Sequence, residues 1–221
     1  MKKSLYVLKA IVRITLRIII GSFHRLIINL LDTLFGFLNW PTKKIRIKIF
    51  ILQSNKQIAI VNPNDLDKAI IYTRDVFKKN FNVNLLPVGN NELFTEILKA
   101  IPPPEALYTR GGPSALNDEF QTAGNFFARN LIAPIYPITA FVVIDIKDAS
   151  GCSLGPMADY VTLSHDGARS ESVLAHELAH ACGLWHVTDI SNLLWNKNNR
   201  GNKISWWQRN IFRSSRHVTY W

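Results

Sequence analysis

The sequence predicts an α+β fold with an α/β-like order of elements, preceded by a basic and apolar N-terminal segment. The chain has 221 residues, 48% of them hydrophobic, which is enough for one sizeable core and an appendage. Beyond residue 42, patterns typical of strands alternate with patterns typical of helices, and no internal repeat is present. The composition excludes a disordered chain, a collagen and a polytopic membrane protein. We therefore divide the chain into a segment over 1–42 and a domain over 43–221.

Positive charge is concentrated at the N-terminus. Residues 1–48 contain ten basic residues and a single acid, so they hold almost all of the formal net charge of +10. Lys9, Arg13 and Arg17 recur every four residues and share one helical face, opposite large aliphatic side chains. This pattern predicts a basic amphipathic helix in a bilayer interface, with a membrane surface as the partner of residues 1–40. Nucleic acid is not an expected partner, because the basic residues alternate with aliphatic rather than aromatic side chains.

A companion helix is predicted over Leu26–Trp40, after a bend at Gly21–Ser22. Neither helix is expected to cross a membrane, because the longest stretch without charge or histidine, 33–42, is far shorter than the about 20 apolar residues required. Two alternatives stay open, an uncleaved signal-like leader and a helix packed on its own domain. A secreted form is expected if the segment is removed.

The domain begins with a strand and continues with alternating elements. Over 45–50, isoleucines alternate with basic residues, which predicts a strand with one buried face. The following patterns predict a helix, a strand, a short helix and two further strands, at Asn62–Asn80, Asn82–Val88, Leu93–Ala100, Phe141–Ile146 and Asp159–Leu163. Arg110–Pro113 is predicted to be a loop.

An H-E-x-x-H motif, followed by a glycine and a third histidine, carries the predicted chemistry. Helical residues four apart project from the same face about 6 Å apart, so His176 and His180 can bind one Zn²⁺. Gly183 can end the helix in a left-handed conformation, which turns the chain so that His186 supplies a third ligand. Three protein ligands leave a position for water, as in catalytic zinc sites.

Glu177 follows the first ligand and is placed to act on this water as a general base. Residues 176–186 match the signature H-E-x-x-H-x-x-G-x-x-H at every fixed position. In this the chain resembles the metzincin zinc metallopeptidases, and among them most of all the matrixin-like bacterial members. The resemblance implies a catalytic domain with a mixed twisted sheet, a backing helix, an active-site helix and a C-terminal helix. It also implies Zn²⁺ as cofactor and peptides or proteins as substrates.

The resemblance further implies a Met-turn below the zinc. Leu194 stands where the methionine is expected, and its similar apolar volume predicts that the floor beneath the metal is kept. The polar loop Asn196–Asn202 resembles the wall of the S1′ pocket. A final helix is predicted after the N-cap Ser205, with Trp206 in the core. Asp189 is either a hydrogen-bond partner of a ligand histidine or a turn cap.

Two cysteines leave two interpretations open. Cys152 lies in a predicted loop over Gly151–Pro156, and Cys182 lies between the second and third ligands. A disulfide would tie the loop to the active-site helix and imply an oxidising compartment, whereas the alternative is a pair of buried thiols. We favour the disulfide and so expect an extracytoplasmic catalytic domain.

The leading hypothesis is therefore a membrane-associated zinc metalloendopeptidase. The alternative is a catalytically inactive metzincin-like zinc-binding domain that serves as a membrane-tethered interaction module, against which the intact Glu177 argues. In a third hypothesis the N-terminal helices are the functional part and the zinc site is secondary. The sequence does not indicate which oligomeric state the protein adopts.

Overall fold

A mixed seven-stranded sheet is the centre of the described part of the chain. The computed structural model describes residues 2–36, 41–53, 58–88, 93–97, 137–146, 148–157, 159–197 and 199–220. The strands are β1 (Lys43–Ile51), β2 (Val83–Pro87), β3 (Thr95–Ile97), β4 (Ile138–Val142), β5 (Gly151–Ser153), β6 (Tyr160–Leu163) and β7 (Val218–Thr219). The helices are α1 (Lys2–Gly36), α2 (Asp67–Phe81), α3 (His165–Arg169), α4 (Val173–Ala181) and α5 (Trp206–Arg213). The predicted α+β class is confirmed.

The central strand is β1. Ile45, Ile47, Ile49 and Ile51 are fully buried and alternate with half-buried side chains, as the sequence pattern predicts. Along one edge β1 pairs in parallel with β2 and β3. Along the other edge it pairs in parallel with β4 and antiparallel with β7. The strand order is β2-β1-β4-β6-β5, so β5 is the strand farthest from β2.

The edge strand β5, which pairs antiparallel with β6, was not predicted. Its three residues are too few to show an alternating pattern, so the sequence predicted a loop. Successive side chains of a strand point to opposite faces. Position 151 faces α4, because a β-carbon on Gly151 would lie within 2.8 Å of Glu177 and Val173. Cys152 packs on the other face, in the hydrophobic cluster that contains Phe141.

The helix α2 ends within one residue of the predicted end at Asn80, whereas the predicted start at Asn62 begins a 3₁₀ turn and the helix itself starts at Asp67. The Asn62 side chain accepts a hydrogen bond from the backbone N–H of Asn64, which starts a short 3₁₀ turn before the helix. Asn82 ends the helix in a left-handed conformation with φ of 53°. On its buried face, the Phe81 ring stacks on Phe212 of α5 with a centroid distance of 3.9 Å. This contact joins the backing helix to the C-terminal helix.

The N-terminal helix α1 is one continuous helix of 35 residues, so the prediction of two helices with a bend at Gly21–Ser22 was wrong. A single glycine costs a helix only about 1 kcal/mol, and no proline interrupts this segment. Trp40, the predicted end, lies outside the described residues. Among the helices that the structure describes, none has both the length and the apolar character needed to cross a membrane.

Buried charges fasten α1 to the domain. The carboxylate of Asp32 accepts a hydrogen bond from Lys43 Nζ at 2.8 Å and lies 3.6 Å from the guanidinium of Arg213. The Tyr220 hydroxyl donates to the same carboxylate. The Lys43 and Arg213 side chains are fully buried, and Asp32 is 4% exposed. The second half of α1 thus packs on its own domain, which is one of the alternatives that the sequence left open.

Three other expectations need correction. The predicted helix Leu93–Ala100 contains β3, because its backbone pairs with β1. The strand predicted over Phe141–Ile146 begins earlier, at Ile138, and ends at Val142. Trp206 is 74% exposed and is not a core residue. The predicted loop Arg110–Pro113 lies outside the described residues.

Candidate metal centre and active site

The active-site helix α4 is held by burial on nearly all sides. Its apolar residues, from Val173 to Ala181, are fully buried or nearly so in the main core. After the helix, Gly183 adopts φ of +95°, a conformation open to glycine without strain. The backbone N–H of Leu184 then donates to Ala179 O at 3.1 Å, which closes the turn. This turn carries the chain back to His186.

The three predicted ligand histidines lie together. The Nε2 atom of His176 lies 3.0 Å from Nε2 of His180 and 3.2 Å from Nε2 of His186. The third distance, between His180 and His186, is 3.1 Å. Two nitrogens bound tetrahedrally to zinc at about 2.0–2.1 Å are about 3.3–3.4 Å apart, within a few tenths of an ångström of these distances. The spacing of the group therefore fits Zn²⁺.

The ring tautomers also fit a metal ion. Nδ1 of His176 donates to Leu193 O at 2.8 Å, and Nδ1 of His180 donates to Leu184 O at 2.7 Å. Because the proton of each neutral ring is on Nδ1, the Nε2 atoms present lone pairs to each other. Two lone pairs at this distance repel unless a cation lies between them. The histidines are thus arranged as ligands of Zn²⁺.

Burial keeps these imidazoles neutral. It lowers the pKa of His176 to about 3, with a further lowering by His180 and Arg200. Burial likewise lowers the pKa of His180 to about 4. Neutral imidazole is the form that binds a metal, so protons do not compete for these two nitrogens near neutral pH.

The turn after the third ligand supports the first ligand. Its Leu193 carbonyl orients His176, and its Asn192 side chain accepts a hydrogen bond from the Leu194 N–H at 2.9 Å. Asn192 in turn donates to Gln208 of α5 at 2.9 Å, and both side chains are buried. Leu194 is fully buried in the main core, at the position where the resemblance expects a methionine.

Asp189 does not contact a ligand histidine. Its carboxylate accepts hydrogen bonds from the backbone N–H and the hydroxyl of Ser191, each at 2.8 Å, and is exposed. The turn-cap interpretation is therefore correct and the metal-supporting one is wrong. The carbonyls of Leu184 and Leu193 take the supporting role instead.

Glu177 lies beside the first ligand and is 6% exposed. Its side chain occupies the space above Gly151 of β5, where a β-carbon would be 2.7 Å from Glu177 Cγ. Both residues line an open cleft of about 840 Å³ together with the three histidines. The cleft continues along β5 and along the loop that contains Asn196 and Arg200. An extended chain can therefore lie against β5 and pass the metal site.

Cys152 and Cys182 form no disulfide, so that prediction was wrong. Strand alternation places Cys152 on the face of β5 that is turned away from α4, whereas Cys182 is buried in the main core just after α4. Burial raises the pKa of the Cys182 thiol to about 12, which keeps it protonated and unreactive. The cysteines thus give no support to an extracytoplasmic compartment, which stays a prediction.

Sequence reasoning missed Gly151, Arg200 and the pair Asn192–Gln208. Gly151 and Arg200 belong to no local motif and enter the site through contacts with residues far along the chain, whereas Gln208 is the N3 residue of the S-x-x-Q capping box that begins at Ser205. For Arg200 the available signal was the resemblance of the loop over Asn196–Asn202 to a pocket wall, and it did not single out this arginine.

No family model matches this sequence, and no curated relative matches it. Among solved structures it is similar to metalloproteinase-II from Bacteroides fragilis, with 15% identity and a TM-score of 0.49 over 76% of this chain and 52% of that one. It is similar to mature mirolysin from Tannerella forsythia in complex with a cleaved peptide, with 14% identity and a TM-score of 0.41 over 69% and 68%. It is similar to a zinc-dependent peptidase from Methanocorpusculum labreanum, with 10% identity and a TM-score of 0.47 over 75% of this chain and 99% of that one. The chain spans about half the length of the first of these.

Proposed function

We propose that this protein is a zinc-dependent endopeptidase of the metzincin type, with Glu177 as the general base. One observation carries the proposal: the Nε2 atoms of His176, His180 and His186 converge to within 3.2 Å of one another in an open cleft, and Glu177 lines the same cleft. Three nitrogen ligands leave a coordination position for water and substrate.

The chain's own residues divide the chemistry among them. Bound zinc supplies a Lewis acid that acidifies a water molecule and polarises the scissile carbonyl. Glu177 takes the proton from the attacking water and delivers it to the leaving amine. β5 is the terminal strand in the order of the described sheet, and its outer edge binds the extended substrate backbone through main-chain hydrogen bonds, which sets the direction of the substrate across the site.

An inactive zinc-binding domain is the competing function. It would need the three histidines but neither Glu177 nor a cleft beside it. The chain instead keeps a carboxylate in the cleft and a glycine opposite to make room for it. This arrangement favours catalysis.

Chelation and reconstitution of the full chain with casein as substrate test the proposal. We expect hydrolysis to stop on treatment with 1,10-phenanthroline and to return when one equivalent of Zn²⁺ is added. A protein that binds one zinc and hydrolyses nothing would support the inactive alternative. Hydrolysis that persists without metal would contradict both functions.

We also propose that α1 binds this enzyme to an anionic membrane surface. Its side facing the domain carries His24, Arg25 and Asp32, whereas the exposed side chains of its outer side are mostly apolar. The outer side chains, each at least 49% exposed, include Ile11, Val12, Ile18, Ile19, Phe23, Leu26, Leu30 and Leu34. An apolar face of this extent is unusual on a soluble protein and suits the acyl boundary of a bilayer. The excess of basic residues in 1–48 favours anionic lipid.

Flotation with vesicles tests the membrane proposal. The full chain is expected to float with vesicles of phosphatidylserine and phosphatidylcholine, and a variant with Ile18→Ser, Phe23→Ser and Leu30→Ser is expected to stay at the bottom of the gradient. Ile71→Ser, which alters an exposed apolar residue of α2, is the matched control and should float. A chain that pairs with a second copy and does not float would contradict the proposal.

A further inference from the structure

Arg200 is the one arginine that lines the cleft of the histidine group among the described residues. Its guanidinium is half-buried, and its Nε donates to the carbonyl of Lys197 at 3.0 Å, which fixes the plane of the group. Its Nη1 is buried and has no hydrogen-bond acceptor within the described part of the chain. A buried charged donor without an acceptor is costly, so this nitrogen would gain from an acceptor that a bound substrate supplies.

The charge of Arg200 acts on the reacting groups. Arg200 and Glu177 line the same cleft, and the Glu177 carboxylate lies within electrostatic reach of the Arg200 guanidinium. Glu177 delivers its proton to the leaving amine, so a group within electrostatic reach of Glu177 lies near the residue that follows the scissile bond. Lys197 also lines the cleft and adds a second positive charge.

We propose that Arg200 is a specificity-determining residue that selects substrates with Glu or Asp directly after the scissile bond. The inference rests on the proposed peptidase function. A carboxylate there would accept charge-assisted hydrogen bonds from the guanidinium, whereas an amide would gain less and a lysine would be repelled. Within the described cleft, the carboxylates that the protein itself supplies are those of Asp148 and Glu177, and Glu177 is engaged in the chemistry.

A role of Arg200 in positioning Glu177 alone would change the rate for every substrate equally. The test therefore uses a ratio within each variant. Cleavage sites in denatured casein are first mapped by mass spectrometry with the zinc-loaded full chain, and new N-termini are expected to be enriched in Glu and Asp. A peptide from one mapped site is then made with Glu, Gln or Lys after the scissile bond. For the wild type, kcat/KM is expected to be about tenfold higher for Glu than for Gln.

Substitution decides the assignment. Arg200→Gln is expected to bring the Glu/Gln ratio to about one, and Arg200→Lys to keep part of it. Lys203→Gln removes an exposed positive charge outside the cleft and should leave the ratio unchanged. A wild-type ratio near one, or a ratio unaltered by Arg200→Gln, would overturn the inference while leaving the peptidase function intact.

A binding measurement distinguishes failure of the proposed peptidase function from failure of the proposed role of Arg200. If the wild type cleaves no peptide, the proposed function fails, and Glu177→Ala with a fluorescein-labelled peptide still reports the selectivity by anisotropy. Tighter binding of the Glu peptide than of the Gln peptide, lost in Glu177→Ala with Arg200→Gln, would support the role of Arg200. Equal binding of the two peptides would overturn it.

Discussion

Gly151 of the edge strand lies directly against Glu177 of the active-site helix. A β-carbon at position 151 would be 2.7 Å from Cγ and 2.8 Å from Oε1 of Glu177, closer than such atoms can approach. The edge strand thus provides both the proposed binding edge for substrate and the space that the Glu177 side chain, the proposed general base, occupies. The position of the Glu177 carboxylate depends on the absence of a side chain at 151.

Gly151→Ala is expected to displace Glu177 and to lower kcat/KM for casein-derived peptides by about 100-fold, because an error of about 1 Å in a catalytic group costs this much. The zinc content should not change, since the three histidines do not contact position 151. Cys152→Ala, on the opposite face of the same strand, should keep its activity. Equal activity of Gly151→Ala and wild type would show that this contact does not determine the position of the Glu177 carboxylate.

Asn192→Ala is expected to weaken zinc binding by about 10–100-fold, because it frees the turn whose Leu193 carbonyl orients His176. Competition with a fluorescent zinc chelator measures this affinity. Asn62→Ala is the control, since it removes the N-cap of the 3₁₀ turn before α2 and should cost about 1 kcal/mol in the free energy of unfolding without altering zinc affinity. Unchanged zinc affinity in Asn192→Ala would refute the role of the turn.

Asp32→Asn is expected to lower the free energy of unfolding by about 3–5 kcal/mol, because it leaves Lys43 and Arg213 buried with no negative partner. Urea denaturation measures the change, and faster proteolysis near residues 36–43 should accompany it. Asp75→Asn, at an exposed position of α2, should change the free energy by no more than about 0.5 kcal/mol. A small effect of Asp32→Asn would mean that α1 is not fastened by this cluster.

His24 is expected to make stability depend on pH. Burial, followed by the charges of Lys43 and Arg216, lowers the pKa of His24 to about 4 from its usual value of 6.5. Between these values the unfolded chain binds a proton that the folded chain does not, so the free energy of unfolding falls as the pH decreases from about 6.5 to about 4. The stability is fully present above pH 6.5.

Urea denaturation of wild type and His24→Phe at fixed zinc concentration, between pH 7.5 and pH 4.5, checks this dependence. The variant should lose less stability on acidification, because it lacks the His24 imidazole that takes up a proton on unfolding. The contribution of the site histidines is the same in both proteins and cancels in the comparison. His165→Phe, on the surface, should follow the wild type. Parallel curves for wild type and His24→Phe would exclude the effect.

The parts of the protein that could be predicted from sequence are those encoded by local spacing. The spacing of His176 and His180 on one helix, the glycine turn at Gly183 and the alternation in β1 each follow from the geometry of one element. The structure places all of these where the patterns indicate.

The remaining features depend on contacts between distant segments. β5 has three residues and becomes a strand only by pairing with β6, so no local pattern marks it. The acid Asp32 is the single negative charge in a basic segment, and its partner Arg213 belongs to the last helix. The disulfide was predicted because both cysteines lie near the site along the chain, whereas the pleat of β5 turns Cys152 away from α4.

The central claim is that Glu177 acts on a water at a zinc held by three histidines, and one paired measurement on Glu177→Ala tests it most directly. Zinc-to-protein ratio and casein hydrolysis are measured on the same preparations of wild type and variant. We predict one zinc per chain in both proteins and hydrolysis in the wild type alone. Undiminished hydrolysis by Glu177→Ala, or a wild type that hydrolyses casein without binding zinc, would contradict the account.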